Sequence, residues 1–337
     1  TNLASKLRYP ILADILSQAR CGDHDRSSVI DHYDGFIRNS DLQEELSPEI
    51  IIRFGNLPVS KPLVEFLNRQ KEAIHILVSD DGSWSDPSHI SSEIVHADCR
   101  DFSQGLIDIL KDLKRSNRWL DMWRRISKET EISIADALEG FDVMFEGKIF
   151  SELSRFLPDN SMVFAGNSMP VRDMDSFFPS SGKNIKFLAN RGASGIDGII
   201  STSMGLSLNQ KKYNFLILGD ISFFYDVSAL MNHIQIPINL NIIILNNNGG
   251  HIFDRLEGLS KEKNYSKYWL TALDLNIKSI AKTFHCKYLK LNYKTLASKD
   301  SSIFLDKGMK LIEIKINSDR HQLENQAIER RIKKELV

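Results

Sequence analysis

Apolar residues come along this chain in short blocks separated by polar turns, and the blocks alternate between two periods. Residues 12–17 and 62–68 carry apolar positions at helical spacing. Residues 50–54 form a short apolar run ended by Gly55, and residues 74–78 form another ended by Asp80-Asp81-Gly82, the pattern of buried strands. Strands that alternate with helices predict a parallel sheet. Residues 108–128 are strongly charged and read as a helix. Trp119 and Trp123 lie four apart on it, a spacing that puts both rings on one face and predicts a packing stripe. A domain boundary is expected near residue 140.

The same alternation is clearer in the second half. Strands are predicted at 162–165, 185–188, 215–218, 241–245, 287–289 and 311–316, with helical patterns between most of them, as at 225–233 and 273–284. The expected fold class is α/β, with two doubly wound, mainly parallel-sheet domains over 1–140 and 141–337. In such sheets ligands bind beyond the carboxyl ends of the strands. No internal repeat and no low-complexity segment interrupts this picture.

Composition narrows the function classes. A chain of 337 residues with 42% hydrophobic positions can bury the cores of about two domains. With 43 basic against 44 acidic residues, the net charge of -1 gives no general attraction to nucleic acid or to acidic membranes. The tail Arg330-Arg331-Ile332-Lys333-Lys334 reads as a solvated helix end. Cys21, Cys99 and Cys286 have no C-x-x-C spacing, so neither a disulfide framework nor a zinc site is expected. No apolar run has transmembrane length, and no signal-peptide pattern follows Thr1. A bacterial cytoplasm is the expected compartment; the Lys-, Asn- and Ile-rich composition also fits a plastid stroma.

Four polar clusters fall just after predicted strands: Gly166-Asn167-Ser168, Asn190-Arg191-Gly192, Gly219-Asp220 and Asn246-Asn247-Asn248-Gly249-Gly250. Gly and Asn are ordinary turn residues, so one cluster alone says little. Four on one edge of a sheet point to a site. Asp220 closes one strand and Asn247 the next, with 26 residues between them. A strand–helix–strand unit of that length returns both side chains to the same edge. A carboxylate, an amide oxygen and a backbone carbonyl suit Mg²⁺ when phosphate oxygens and water complete the octahedron. The competing reading is a turn Asp and a turn Asn that cap their helices.

Gly-Asp followed some 25 residues later by Asn-Asn resembles the signature of thiamine-diphosphate-dependent enzymes. The usual motif runs Gly-Asp-Gly, and Ile221 holds the third place here. That departure, with the runs GNSMPVRD (166–173), ANRGASGIDGIISTSMG (189–205), GDISFFYD (219–226) and NNNGGHIF (246–253), resembles the carboligating synthases of menaquinone and phylloquinone biosynthesis within that family. LADILSQAR (12–20) and IIRFGNLPVSKPL (51–63) are similar to their central domain. The likeness is dense over 162–253 and thin after about 270.

The resemblance implies a central domain over 1–140 and a diphosphate- and metal-binding domain over 141–337. It implies a transferase that takes thiamine diphosphate and Mg²⁺ (or Mn²⁺), decarboxylates 2-oxoglutarate and adds the remaining unit to isochorismate. Asp220, Asn247 and the Gly249 carbonyl would ligate the metal. Ser222 would contact the diphosphate, with Ser194 and Gly195 along the cofactor. Ile196 would prop the cofactor, and Ile252 and Phe253 would wall its thiazolium ring; periodicity alone reads Ile196 as a core residue. Both substrates carry two carboxylates, which bidentate arginines suit. Arg172, Arg191 and Lys61, with Asn167 and Ser168, occupy the implied substrate-binding positions. His251 is expected at the rim and not as a catalyst.

Family members carry a further domain whose glutamate activates the aminopyrimidine ring. Glu44, Glu45, Glu49 and Glu65 do not match it, so no catalytic residue is assigned in this chain. The expectation is a truncated form with little activity alone and weak cofactor affinity. The full-length form is expected to be a homo-oligomer, dimer or tetramer, with no nucleic-acid partner and no membrane insertion. Two alternatives stay open: another thiamine-diphosphate 2-oxoacid decarboxylase or ligase, and a non-catalytic cofactor-binding module. An ordinary dinucleotide-dependent dehydrogenase lacks its G-x-G-x-x-G.

Overall fold

The computed structural model describes residues 1–337 apart from 83, 142–143, 209–212, 257, 293–294, 296–301 and 337, and apart from the side chains of 318–322. The chain divides into two compact units. One comprises Thr1–Asp14, His24–Ala135 and Glu329–Val337; the other comprises Ile15–Asp23 and Asp136–Ile328.

The first unit holds a parallel pair, β1 (Ile11–Leu12) and β2 (Val29–Ile30), and a three-stranded parallel sheet of β3 (Ile50–Phe54), β4 (Ile74–Ser79) and β5 (Glu93–His96) in that order. Helix Lys61–Arg69 starts where it does because the Ser60 hydroxyl accepts the Leu63 N–H and Pro62 sits in the first turn. Trp123 is buried edge-on to Phe36 (5.7 Å), Trp119 (5.9 Å) and Phe66 (6.4 Å). The tryptophan pair is therefore core packing. The helix expected over 108–128 is broken: one helix ends at Ile109 and another runs Arg118–Glu139.

Residues 12–17 are not one helix either. Leu12 belongs to β1, and Ile15–Ser17 is a single 3₁₀ turn in the second unit. The Ile15 N–H donates to Asp175 Oδ1 at 2.8 Å instead of to a helical carbonyl. The fully buried Arg20 fastens this segment: it donates to the Asp175 and Phe178 carbonyls at 2.6 and 3.0 Å and to Asp175 Oδ1 at 2.7 Å.

The second unit is built on a six-stranded, all-parallel sheet. Its strands are β6 (Ser161–Ala165), β7 (Ile185–Leu188), β8 (Tyr213–Gly219), β9 (Leu240–Asn246), β10 (Lys287–Leu291) and β11 (Met309–Lys315), in the order β10-β11-β9-β8-β6-β7. β6, β8, β9 and β11 are buried almost throughout, whereas β7 and β10 at the edges are buried in part. That is why the inner four read as near-continuous apolar runs. Ile242, Ile244, Leu216, Leu218 and Leu311 form the core with Ile199 and Ile200.

The order of the strands fixes where ligands can enter. From β6 the chain moves to β7 on one side; from β8 it moves to β9 on the other. The loops leaving β6 and β8 therefore diverge and open a crevice at the carboxyl edge. The helix predicted at 225–233 does not form as one piece. A helix over Asp220–Tyr225 stops at Asp226, a 3₁₀ turn covers Val227–Met231, and a short helix covers Asn232–Gln235. The Asp226 carboxylate instead accepts the Ser201 N–H and hydroxyl at 2.7 and 3.0 Å, tying that break to the start of helix Ile199–Ser207. No helix among the described residues is long and apolar enough to cross a membrane.

Candidate functional site

Asp220 opens the short helix after β8 and is 3% exposed. Its Oδ2 accepts the Gly249 N–H at 3.1 Å, and its Oδ1 accepts the Ile221 N–H at 2.9 Å. The turns after β8 and β9 thus meet at this carboxylate. Burial pushes the Asp220 carboxyl above its ordinary range, and the Ile221 and Gly249 amides pull the other way. A cation there would offset the cost of burial. Asn247 lies just past β9, where its Nδ2 donates to Glu146 Oε1 at 3.4 Å. Gly249 has φ +145°, and a Cβ on it would lie 2.6 Å from the Leu270 carbonyl oxygen. Only glycine fits so close an approach. The Asp220 carboxylate is held on the Gly249 N–H, two residues after Asn247; a carboxylate, an amide oxygen and a carbonyl from these residues would make a hard-oxygen set suited to Mg²⁺ or Mn²⁺ once a ligand adds phosphate oxygens. Ser222 is two residues beyond Asp220 on the same helix and is buried.

A second group stands on the loop after β6. Asn167 is 2% exposed; its Nδ2 donates to the Gly195 carbonyl at 2.6 Å, and its Oδ1 accepts from Arg191 at 2.9 Å. Ser168 adopts φ 73°, which turns its carbonyl onto the Arg172 guanidinium. That φ is strained for a residue with a side chain, and such strain gathers at functional sites. Arg255 reaches the same stretch and lies 3.8 Å from Asp173. Arg172, Arg191 and Arg255 are thus all held on residues 167–173. Burial, followed by repulsion from Arg191 and Arg255, lowers the Arg172 pKa. An anion among these guanidiniums would relieve that repulsion.

The remaining candidates lie on neighbouring turns. Arg191, Ser194 and Gly195 are exposed on the irregular segment between β7 and helix Ile199–Ser207. Ile196 is only half-buried there, whereas Ile199 and Ile200 are in the core. It is therefore not a plain core isoleucine. Ile252 and Phe253 sit on a 3₁₀ turn, His251–Arg255, with Phe253 edge-on to Trp269 at 5.1 Å. The Asp254 carboxylate steadies this turn by binding His251 Nδ1 at 2.6 Å and the Tyr265 hydroxyl. Lys61 belongs to the first unit, where its side chain is exposed and pairs with Glu65 at 3.5 Å.

Two residues of this site escape a reading of the sequence. Glu146 and Arg255 look like ordinary surface charges, yet one holds Asn247 and the other joins the arginine group. For Arg255 the signal was position: it lies eight residues after Asn247, within the same loop. Glu146 carries no such signal.

Residues 1–165 match the family described as the middle domain of thiamine pyrophosphate enzymes, and residues 173–314 match the thiamine pyrophosphate enzyme C-terminal TPP-binding domain. The chain belongs to the thiamine pyrophosphate enzymes, whose cofactor is thiamine diphosphate with a divalent metal ion. Within that class its curated relatives are 2-succinyl-5-enolpyruvyl-6-hydroxy-3-cyclohexene-1-carboxylate synthases. It is 34% identical over 319 residues to that of Bacillus cytotoxicus, covering 94% of this chain and 54% of the relative. To the synthase of Listeria innocua it is 36% identical over 330 residues, covering 97% and 56%. The Listeria monocytogenes protein is 34% identical over 328 residues, with the same coverage. The chain therefore spans about half the length of the curated relatives it matches.

Proposed function

We propose that this chain is the central and cofactor-binding part of a 2-succinyl-5-enolpyruvyl-6-hydroxy-3-cyclohexene-1-carboxylate synthase. The observation that carries the reading is the meeting of Asp220 with the Gly249 amide, two residues after Asn247, at the carboxyl edge beside the point where the strand order reverses. Asp220, Asn247 Oδ1 and the Gly249 carbonyl would hold Mg²⁺ or Mn²⁺, and Ser222, Ser194 and Gly195 would receive the diphosphate. When bound, thiamine diphosphate supplies the electron sink for losing CO₂ from a 2-oxo acid and for joining the remaining carbons to an acceptor.

The chain's own residues bind, orient and exclude water. Arg172 and Arg191 neutralise substrate carboxylates, those of 2-oxoglutarate and isochorismate, while Asn167 fixes the Arg191 guanidinium and Ser168 that of Arg172. Ile196, Ile252 and Phe253 present apolar surface to the reacting centre and keep water from it. Lys61 is proposed as a further carboxylate-binding residue. A homo-oligomer is the proposed assembly. The bacterial relatives support a bacterial cytoplasm as the location.

Calorimetry with thiamine diphosphate and Mg²⁺ tests the reading. Binding that requires the metal and disappears in Asp220→Ala is expected. Equal binding by the variant, or binding indifferent to metal, would refute it. In the protein that contains this chain, Arg191→Leu is expected to raise the KM for the dicarboxylate substrates more than it lowers cofactor affinity.

A further inference from the structure

The three consecutive asparagines that begin at the last residue of β9 are fastened in three different ways. Asn246 Nδ2 donates to Glu313 Oε1 at 2.7 Å, and the Tyr288 hydroxyl donates to the other oxygen of that carboxylate at 2.5 Å. Asn248, with φ +59°, uses its Oδ1 to accept the Asp274 N–H at 2.9 Å. Asn247 is held by a residue 101 positions away: its Nδ2 donates to Glu146 Oε1. Glu146 is the first residue of helix Glu146–Phe156 and is 4% exposed. The positive end of the helix dipole favours a carboxylate at that position.

The chemistry of the pair decides which way the amide faces. A carboxylate can only accept, and a side-chain amide donates from nitrogen and accepts at oxygen. With Nδ2 engaged by Glu146, Oδ1 is the amide atom left to face a cation. A metal ion can be bound by that oxygen but not by the NH₂ group. We propose that Glu146 is a positioning residue for the metal: its carboxylate sets the Asn247 amide with the oxygen presented to the cation. The inference rests on the reading of Asp220, Asn247 and Gly249 as metal ligands.

The test measures Mn²⁺ affinity in the presence of thiamine diphosphate, together with the melting temperature in the absence of both. Glu146→Leu removes the acceptor and is expected to weaken Mn²⁺ about tenfold or more, in line with other residues that orient metal ligands. Glu146→Gln keeps an acceptor and removes the charge; its affinity is expected to stay within about threefold of the parent. Melting temperatures should change little, since a purely structural role would lower them. Equal affinity of Glu146→Leu and the parent would overturn the inference. Equal weakening by both variants would do the same, because charge and not orientation would then be the cause. Should Glu146→Leu fail to fold, Glu146→Gln decides: tenfold weakening there sinks the idea. Asp220→Ala separates the two claims. If it binds Mn²⁺ like the parent, the metal-site reading falls and this inference with it. If it loses Mn²⁺ while Glu146→Leu does not, only the role of Glu146 falls.

Discussion

The two ends of the six-stranded sheet both bury polar side chains, and they do so differently. At the amino edge, Lys310 is 1% exposed and its Nζ donates to Asn241 Oδ1 at 3.1 Å and to the Phe304 and Asp306 carbonyls. Asn241 Nδ2 reaches the Asn214 carbonyl, and Asn214 Nδ2 reaches that of Asn239 at 3.1 Å. These groups close on one another and on backbone, apart from Asn214 Oδ1, which has no hydrogen-bond partner among the described residues. At the carboxyl edge, Asn167, Asp220 and Asn247 are likewise hydrogen-bonded, and Ser168, Asn248 and Gly249 have positive φ, as Asn160, His285 and Gly308 do at the amino edge. Three arginines also crowd that edge. Buried polarity alone therefore does not mark a site. Arginines that repel one another, gathered where the strand order reverses, do.

The sharpest way to break this contrast is to remove one anchor at each edge. Asp220→Ala is expected to weaken metal-dependent binding of thiamine diphosphate more than about a hundredfold, since a lost ligand costs more than a lost orienting partner. Calorimetry should show that loss with little change in the urea midpoint. Lys310→Ala should behave in the opposite manner. Leaving Asn241 Oδ1 and two carbonyls without their cation is expected to cost about 2 kcal/mol of stability. Urea denaturation would register it, while cofactor affinity should hold. A Lys310→Ala chain that keeps its stability and loses the cofactor would reverse the roles of the two edges.

What the sequence disclosed follows the same division. The inner strands were legible because strands buried on both faces leave unbroken apolar runs, as in β9, Leu240–Asn246. The polar clusters were legible because each follows such a run. Contacts between distant segments were not. Nothing near Glu146 predicts that it meets Asn247, and nothing in SFFYD predicts that Asp226 leaves its own helix to bind Ser201. The segment 12–17 looked helical because its apolar spacing is helical; the pull of Asp175 on the Ile15 amide overrides that spacing. Half-exposed Ile196 shows the reverse failure, since periodicity alone would have placed it in the core.

Two glycines sharpen the comparison at smaller cost. Gly308, in the turn before β11 at the amino edge, has φ +105°, but a Cβ there would meet nothing within 4 Å. Gly249 has φ +145° and the Leu270 carbonyl 2.6 Å from the added carbon. Gly308→Ala should therefore cost only backbone strain, about 1 kcal/mol. Gly249→Ala carries that strain and must also displace the Leu270 carbonyl from beside a residue whose N–H binds Asp220, which is expected to lower Mn²⁺ affinity about tenfold. Equal effects of the two substitutions on metal binding would mean that the tight turn after β9 has no special place in the site.

The smallest expected effect concerns Cys286, immediately before β10 at the amino edge. Its Sγ lies 3.4 Å from His233 Nε2, which resembles an activated thiol. The same Nε2 is 2.6 Å from the Phe284 carbonyl, an atom that can only accept, so it donates its proton there and is not a base for the thiol. Burial then pushes the Cys286 thiol from 9.0 up to about 11. The sign of the pH dependence follows. Below 9 the thiol is protonated in both states and the contribution is fully present. Between 9 and about 11 the unfolded chain releases the proton first, so stability is lost as pH rises through the folded value. Melting curves of the parent and Cys286→Ala should differ by a constant amount below pH 9, and the parent should fall relative to the variant above it. A parent that instead gains stability with rising pH would hold a stabilised thiolate beside His233, and the amino edge would then carry chemistry of its own.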